Sequence, residues 1–252
     1  MRTLSSLLVK GLQSNIKENV LGTKINGYWR WSSRETLLNN VFYCRELLKQ
    51  ENIQQGDRVA YKGDNSVEWI SWNIACNSIG GVWVPMYANQ NMDYCNHVVN
   101  DSGASLCITD DAGISFKNTK TMDNTIVEIP EACKSMDFVD NDIATLIYTS
   151  GTTGSPKGVI LSNENIISNI DMIHTRFHDL PASLSLNILP WAHIYAQTCE
   201  LYYNLLNNNR IAIASSRENF IKECGEIQPE ALYIVPRVLE LVKSKIDMLD
   251  IP

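Results

Sequence analysis

Apolar positions along the chain recur with two periods, and the alternation between them predicts a mixed α/β architecture. Near the N-terminus Leu4, Leu7, Leu8, Leu12 and Ile16 fall on one helical face. Trp29–Trp31 reads as a short aromatic strand after the Gly27 turn. Ser33 can cap a helix from Arg34 to Gln50, whose apolar residues from Leu37 to Leu48 keep helical spacing. The stretch RVAYKG, after the Gly56-Asp57 turn, is a strand. Ser66 precedes a helix through Trp69, Trp72 and Ile79, ended by Gly80-Gly81. VWVPMY is a buried strand, Asp93–Asn100 a helix, and Ser105–Thr109 a strand.

From Gly113 to Asp142 the pattern weakens to a polar connection with one strand. Beyond it come a strand at Ala144–Ser150, a glycine-rich turn, a strand at Gly158–Ser162 and a helix at Asn163–Phe177. LSLNILP, RIAIAS and ALYIVP read as three further strands. They alternate with helices at Ala192–Leu206, Arg217–Glu226 and Arg237–Leu249, and Asn207–Asn209 is a loop tip. Strands alternating with helices predict largely parallel sheets flanked by helices. The natural division is a first α/β subdomain over 1–142 and the start of a second α/β unit over 143–252.

Composition narrows the functions. The 252 residues are 44% apolar and 19% charged, which suits a globular core. The net charge of −7, without a basic stripe, argues against a nucleic-acid partner but not against a nucleotide, because a few backbone amides and one cation hold a phosphate locally. Seven cysteines at 44, 76, 95, 107, 133, 199 and 224 form no C-x-x-C pair and read as free thiols in a reducing compartment. No run reaches the ~18 apolar residues of a membrane span. The opening segment, with Arg2, Lys10 and no acid before Glu18, is mildly like a transit peptide, although an ordinary amphipathic helix accounts for it; nothing in it suggests secretion.

The chemistry concentrates in YTSGTTGSPKG, Tyr148–Gly158. It is not a Walker loop. Counting from Gly151, the second glycine would fall at Pro156 and the final hydroxyl at Gly158, and the loop opens a strand where a Walker loop opens a helix. The logic of a phosphate cradle nevertheless holds. Gly151, Gly154 and Gly158 let backbone amides turn toward one anion; Thr149, Ser150, Thr152 and Thr153 add hydroxyl donors; Lys157 adds a full positive charge; Pro156 stiffens the exit.

YTSGTTGSPKGVILS resembles the phosphate-binding signature of the adenylate-forming (AMP-binding) superfamily. That superfamily includes acyl-CoA synthetases, firefly luciferase and the adenylation domains of peptide synthetases. GDRVAYKGDNSVEWISWNIACNSIGGVWVPMY is similar to its early strand–helix–strand block, and NILPWAHIYAQ to its histidine-bearing substrate segment. LYIVPRVLELVKSKI, with Pro236 and Arg237, resembles the long-chain fatty acyl-CoA synthetase branch. The resemblance spans roughly residues 20–250 and implies the N-terminal part of the large domain of that fold.

Its implied activity is fatty acid–CoA ligation: ATP and a fatty acid form acyl-AMP, and coenzyme A takes the acyl group. It implies Thr149, Lys157 and His193 as catalytic residues, and Thr149, Ser150, Gly151, Thr152, Thr153, Gly154 and Lys157 as holding the ATP phosphates. Thr149 also lies on the Mg²⁺ side, and Trp191 and His193 line the acyl entrance. The implied partners are small molecules, with room for peripheral membrane association of a cytoplasmic protein. The family's aromatic–Gly–x–Thr–Glu motif, its ribose-binding aspartate and its hinged C-terminal domain with a mobile lysine are absent from these residues. Two readings follow: an N-terminal portion needing a complementing C-terminal half, or a reduced, inactive nucleotide- or acyl-binding module. Among other temptations, His174 and His178 have metal-ligand spacing without a third ligand, and His97 reads as structural.

Overall fold

The computed structural model describes residues 2–109, 119–121, 137–149, 155–177 and 183–247. In chain order the elements are α1 (Leu4–Ser14), β1 (Asn19–Ile25), β2 (Tyr28–Ser33), α2 (Arg34–Gln50), β3 (Arg58–Lys62), α3 (Val67–Ser78), β4 (Val82–Met86), α4 (Met92–Ser102) and β5 (Leu106–Thr109). There follow β6 (Thr119–Thr121), β7 (Ile143–Thr149), β8 (Lys157–Ser162), α5 (Asn163–Phe177) and β9 (Leu184–Asn187). A π-helix (Ala196–Tyr202) runs into α6 (Tyr203–Leu206), and β10 (Arg210–Ile213), α7 (Phe220–Ile227) and α8 (Pro236–Asp247) complete the order.

Local chemistry accounts for the helix starts. Thr3, Ser33, Ser66 and Asn91 each accept a hydrogen bond from the amide three residues on, satisfying a donor that the first turn leaves open. Pro236, with no N–H to lose, opens α8. Gly80, at φ +77°, supplies the left-handed turn that ends the α3 region.

The strands form two sheets, ordered β6-β5-β3-β4-β7-β8 and β2-β1-β10-β9. All pairs in the larger sheet are parallel except β7–β8, and all in the smaller are parallel except β1–β2. The expected mixed, largely parallel architecture is the one observed. The sheets do not divide at residue 142, however. β7 and β8 extend the sheet of β3–β6, and β1 and β2 join β9 and β10. Strand pairing across the chain, not sequence order, sets the units.

Alternation along the strands feeds three apolar clusters. Val59 and Tyr61 of β3, Trp83 of β4, and Ile211 and Ile213 of β10 enter the main core with α1, α2, α3 and the π-helix, so one helical layer is packed against both sheets. Ala60, Val84 and Cys107 point the other way, under α4. Ala212 and Leu186 face α7 and α8. The main core contains a chain of rings: Trp69 stands edge-on to Tyr61, Trp83 and Trp191, with centroids 6.2, 5.3 and 5.7 Å away.

Three readings need correction. β1 escaped the sequence pattern. ALYIVP is not a strand: Glu230 and Ala231 donate to Leu184 O, Ala231 bridges Ser185, and no ladder follows. Tyr233 packs on the main core instead, while Leu232 stays exposed. Ile16 lies beyond α1 and is exposed. In addition, the expected Ala192–Leu206 helix is largely π-helical, a rare form that often occurs at functional sites. Within the 113–142 connection, expected to hold one strand, β6 (Thr119–Thr121) is that strand among the described residues; 113–118 and 122–136 lie outside them. Among the described residues no helix is long and apolar enough to cross a membrane. The described cysteines are all free thiols.

Truncating Trp69, which has no exposed surface, to alanine should cost about 3–5 kcal/mol through lost transfer energy and a residual cavity. A urea midpoint within experimental scatter of the parent would show that the ring cluster is not the core's keystone.

Candidate functional site

The site is built from strand polarity. β7 lies parallel to β4, with Thr145 opposite Trp83. Its end at Thr149 therefore emerges on the same edge as the ends of β3 and β4. Thr145 Oγ1 donates to Trp83 O at 2.8 Å, and Asn77 Nδ2 donates to Ala144 O at 2.8 Å, which fixes the strand below its tip. β8 returns antiparallel, so Thr149 pairs with Lys157. Both side chains are exposed, and Lys157 makes no ion pair among the described residues. The hairpin thus presents a hydroxyl and an ammonium side by side at the two stems of the glycine-rich loop. Ser150, Gly151, Thr152, Thr153 and Gly154 themselves lie outside the described residues.

A cleft of about 460 Å³ opens on this edge. It is lined by residues that follow β3 (63–65) and β4 (87–89), by the end of β10 and the residues after it (213–217), by Asn187 at the end of β9 with Pro190 and Ala192 beyond, and by Thr23 and Lys24 of β1. The carboxyl ends of parallel strands from both sheets converge there, the usual place for ligands in open α/β sheets. Lys24 is not free to bind an anion: it is held by Glu226 and by the buried Glu223. Those contacts keep the Lys24 ammonium above its ordinary range and Glu226 below the usual carboxylate range.

His193 is exposed, one residue after Ala192 of the cleft lining and just before the π-helix. Its amide donates to Pro190 O at 3.0 Å. Its ring Nδ1 accepts from the Tyr195 amide at 3.2 Å, which puts the ring proton on Nε2 and leaves that edge as a donor. Trp191 does not line the cleft. It is fully buried, its indole against Trp69, while its neighbours Pro190 and Ala192 form the wall. His174 is exposed on α5, and His178 lies outside the described residues. Among the described residues no cluster of His, Cys, Asp or Glu could hold a metal ion.

From the wall inward runs a polar network absent from the sequence reading: Asn65 and Asn187 line the cleft, and Glu200 is buried beneath them. Asn65 accepts from the Trp191 amide at 2.8 Å and donates to Asn187 Oδ1 at 2.6 Å and Leu189 O at 2.8 Å. Asn187 Nδ2 donates to Leu189 O at 2.9 Å and to Glu200 Oε2 at 2.6 Å. Together they tie the 188–192 segment to the β3–α3 loop and to the π-helix. Glu200 is fully buried, with Oε1 unpartnered. Burial pushes its carboxyl up to about 8, against the smaller opposing pull of the Asn187 amide. One signal could have flagged it: Glu200 is the only Asp, Glu, Lys or Arg between Asp179 and Arg210.

Comparison with known proteins places this geometry in a lineage. Residues 17–249 match the family model described as AMP-binding enzyme. The chain is 26% identical over 255 residues to long chain acyl-CoA synthetase 5 of Arabidopsis thaliana, covering 86% of this chain and 38% of that protein. It is 25% identical over 288 residues to the long-chain-fatty-acid–CoA ligase ACSBG1 of Rattus norvegicus, covering 97% and 39%. The inhibitor-bound N-terminal domain of FACL13 from Mycobacterium tuberculosis superposes with a TM-score of 0.80 at 19% identity, covering all of this chain and 66% of that one. Fatty acid AMP ligase from Legionella pneumophila gives 0.74 at 22%, covering 89% and 42%. At such identities the structural likeness establishes the fold alone. The chain spans about two-fifths of the length of these curated relatives.

Because Glu200 holds its proton more tightly folded than unfolded, the stability it contributes is full below about 4.5. It is lost as pH rises through about 8. Glu200→Gln should remove this slope, leaving the variant the more stable of the two above pH 8. Thermal midpoints measured from pH 5 to 9 check it, and parallel curves for parent and variant would refute the buried-acid assignment.

Proposed function

Since the chain belongs to the AMP-binding enzyme family, we propose that it carries the ATP-phosphate grip and part of the acyl side of a fatty acid–CoA ligase. The observation that carries this reading is the β7–β8 hairpin, which sets exposed Thr149 opposite exposed Lys157 on the edge where the cleft opens. The reaction joins a fatty carboxylate to the α-phosphorus of ATP, with pyrophosphate leaving, and then passes the acyl group to the thiol of coenzyme A with release of AMP. Its first step drives one anion against another, so the protein must position the reactants and neutralise charge more than move protons.

In this reading Thr149, Ser150, Thr152 and Thr153 donate hydroxyl hydrogen bonds to the β- and γ-phosphates. Gly151 and Gly154 let backbone amides approach, and the Lys157 ammonium neutralises the leaving pyrophosphate. The donor set suits a triphosphate: hydroxyls, amides and one cation, with no carboxylate between Tyr148 and Gly158. Mg²⁺, when bound, adds positive charge across the phosphates, with Thr149 as the hydroxyl on its side. His193 directs its Nε2–H toward the α-phosphate and the acyl carboxylate. Trp191 shapes the cleft from behind, through the placement of Pro190 and Ala192. The adenine platform and the mobile lysine come from a complementing C-terminal half.

The test is fatty-acid-dependent exchange of labelled pyrophosphate into ATP, across acids of graded length. The chain alone should show little or no exchange, and adding the complementing half should restore it. Lys157→Ala should lower the restored rate about 10²-fold, the scale of losing one preorganised charge-stabilising group. Undiminished exchange in Lys157→Ala would sink the assignment. ATP binding without exchange under any complementation would leave a binding module.

A further inference from the structure

Resting on the phosphate-loop reading above, we propose that α4 is the brace of that loop. His97 and Asp101 act as positioning residues that hold its two stems at the span in which it grips a polyphosphate. The argument starts from spacing. His97 and Asp101 are four residues apart on α4 and so share one face of it. His97 Nε2 lies 2.9 Å from Pro156 O, and since a carbonyl only accepts, the ring donates. Both the neutral Nε2–H tautomer and the imidazolium can make this bond. Asp101 Oδ2 accepts from Tyr148 Oη at 2.7 Å. Tyr148 immediately precedes Thr149, and Pro156 immediately precedes Lys157. One helix face therefore holds the chain on both sides of the loop, at Tyr148 just before Thr149 and at Pro156 just before Lys157.

The Tyr148 ring crosses between these anchors, edge-on to His97 with centroids 6.3 Å apart. It lies over Gly158, its partner in the ladder, where a Cβ would come within 3.1 Å of Tyr148 Cζ. The glycine after Lys157 thus has a mechanical purpose that a phosphate-cradle reading alone does not supply: it clears room for the tyrosine that reaches α4. Burial and the Asp101 carboxylate together raise the Tyr148 phenol above its ordinary range, keeping it a donor.

A brace must itself be fixed, and α4 is. Cys95 and Val98 are buried against Ala60, Val84 and Cys107 of the sheet. Arg58 of β3 donates to Ser102 O at 2.8 Å and Gly103 O at 2.9 Å, pinning the helix end.

Two readouts on the 252-residue chain test the proposal: pyrophosphate affinity by calorimetry, and amide exchange in the 147–158 peptide without ligand. His97→Ala should weaken pyrophosphate binding about 5-fold, the scale of one lost hydrogen bond, and speed exchange, with the thermal midpoint nearly unchanged. His97→Gln, whose terminal amide can replace Nε2–H, should restore both; His97→Asn, one methylene shorter, should not. Tyr148→Phe should act in the same direction through the other stem. Equal affinity and exchange in the parent and His97→Ala would overturn the brace. If His97→Ala fails to fold, equal behaviour of the Gln and Asn variants would overturn it instead. A parent that binds no pyrophosphate defeats the phosphate-loop reading, and the exchange comparison still decides whether α4 holds the stems.

Discussion

The parallel pairing of β7 with β4 is the constraint on which the rest depends. A parallel strand can leave its sheet only on the edge where its neighbours also end. A chemically loaded turn after β7 therefore emerges beside the loops that follow β3 and β4. Had β7 paired antiparallel, the same turn would sit at the opposite edge, away from the cleft. The antiparallel return of β8 then converts a strand end into a hairpin with two fixed stems. The smaller sheet obeys the same polarity: β9 and β10 lie parallel and send their following residues into the cleft.

Around that edge the protein accepts polar groups in places that would otherwise be apolar. Asn65, Asn187 and Glu200 form a chain of short hydrogen bonds running inward from the cleft wall. An acid kept protonated by burial is cheaper to desolvate than a carboxylate, which is how Glu200 is tolerated without a cation. The gain is positional. The segment from Leu189 to His193 is not in regular structure, and the network supplies the backbone partners that a strand or helix would have given it. The π-helix that follows belongs to the same arrangement, since it carries Glu200.

The two halves of the site are held by different means. The stems of the glycine-rich loop are held from α4, through side chains reaching to a phenol and a carbonyl. The His193 segment is held from the β3–α3 loop and the π-helix. Both supports start from β3, through Arg58 at its first residue and Asn65 three residues past its last. One buried strand therefore relates the two groups that a phosphoryl and acyl chemistry would need in register.

Much of this was legible in the residues. Ser33 and Ser66 marked their helices because an N-cap is a local event, decided by one hydroxyl and one amide. The glycine loop after an apolar strand suggested an anion site, because backbone freedom and donor types are properties of the residues themselves. What the sequence could not decide was every feature set by partners far along the chain. β1 is a strand because β10 lies beside it, and ALYIVP is not one because no ladder is free to take it. Trp191 turned inward because the Trp69 ring was there to meet it. Glu200 titrates late only because the fold buries it. Periodicity and capping act over a few residues and can be read directly. Pairing, burial and strand polarity join residues a hundred positions apart, so only the tertiary structure could decide them.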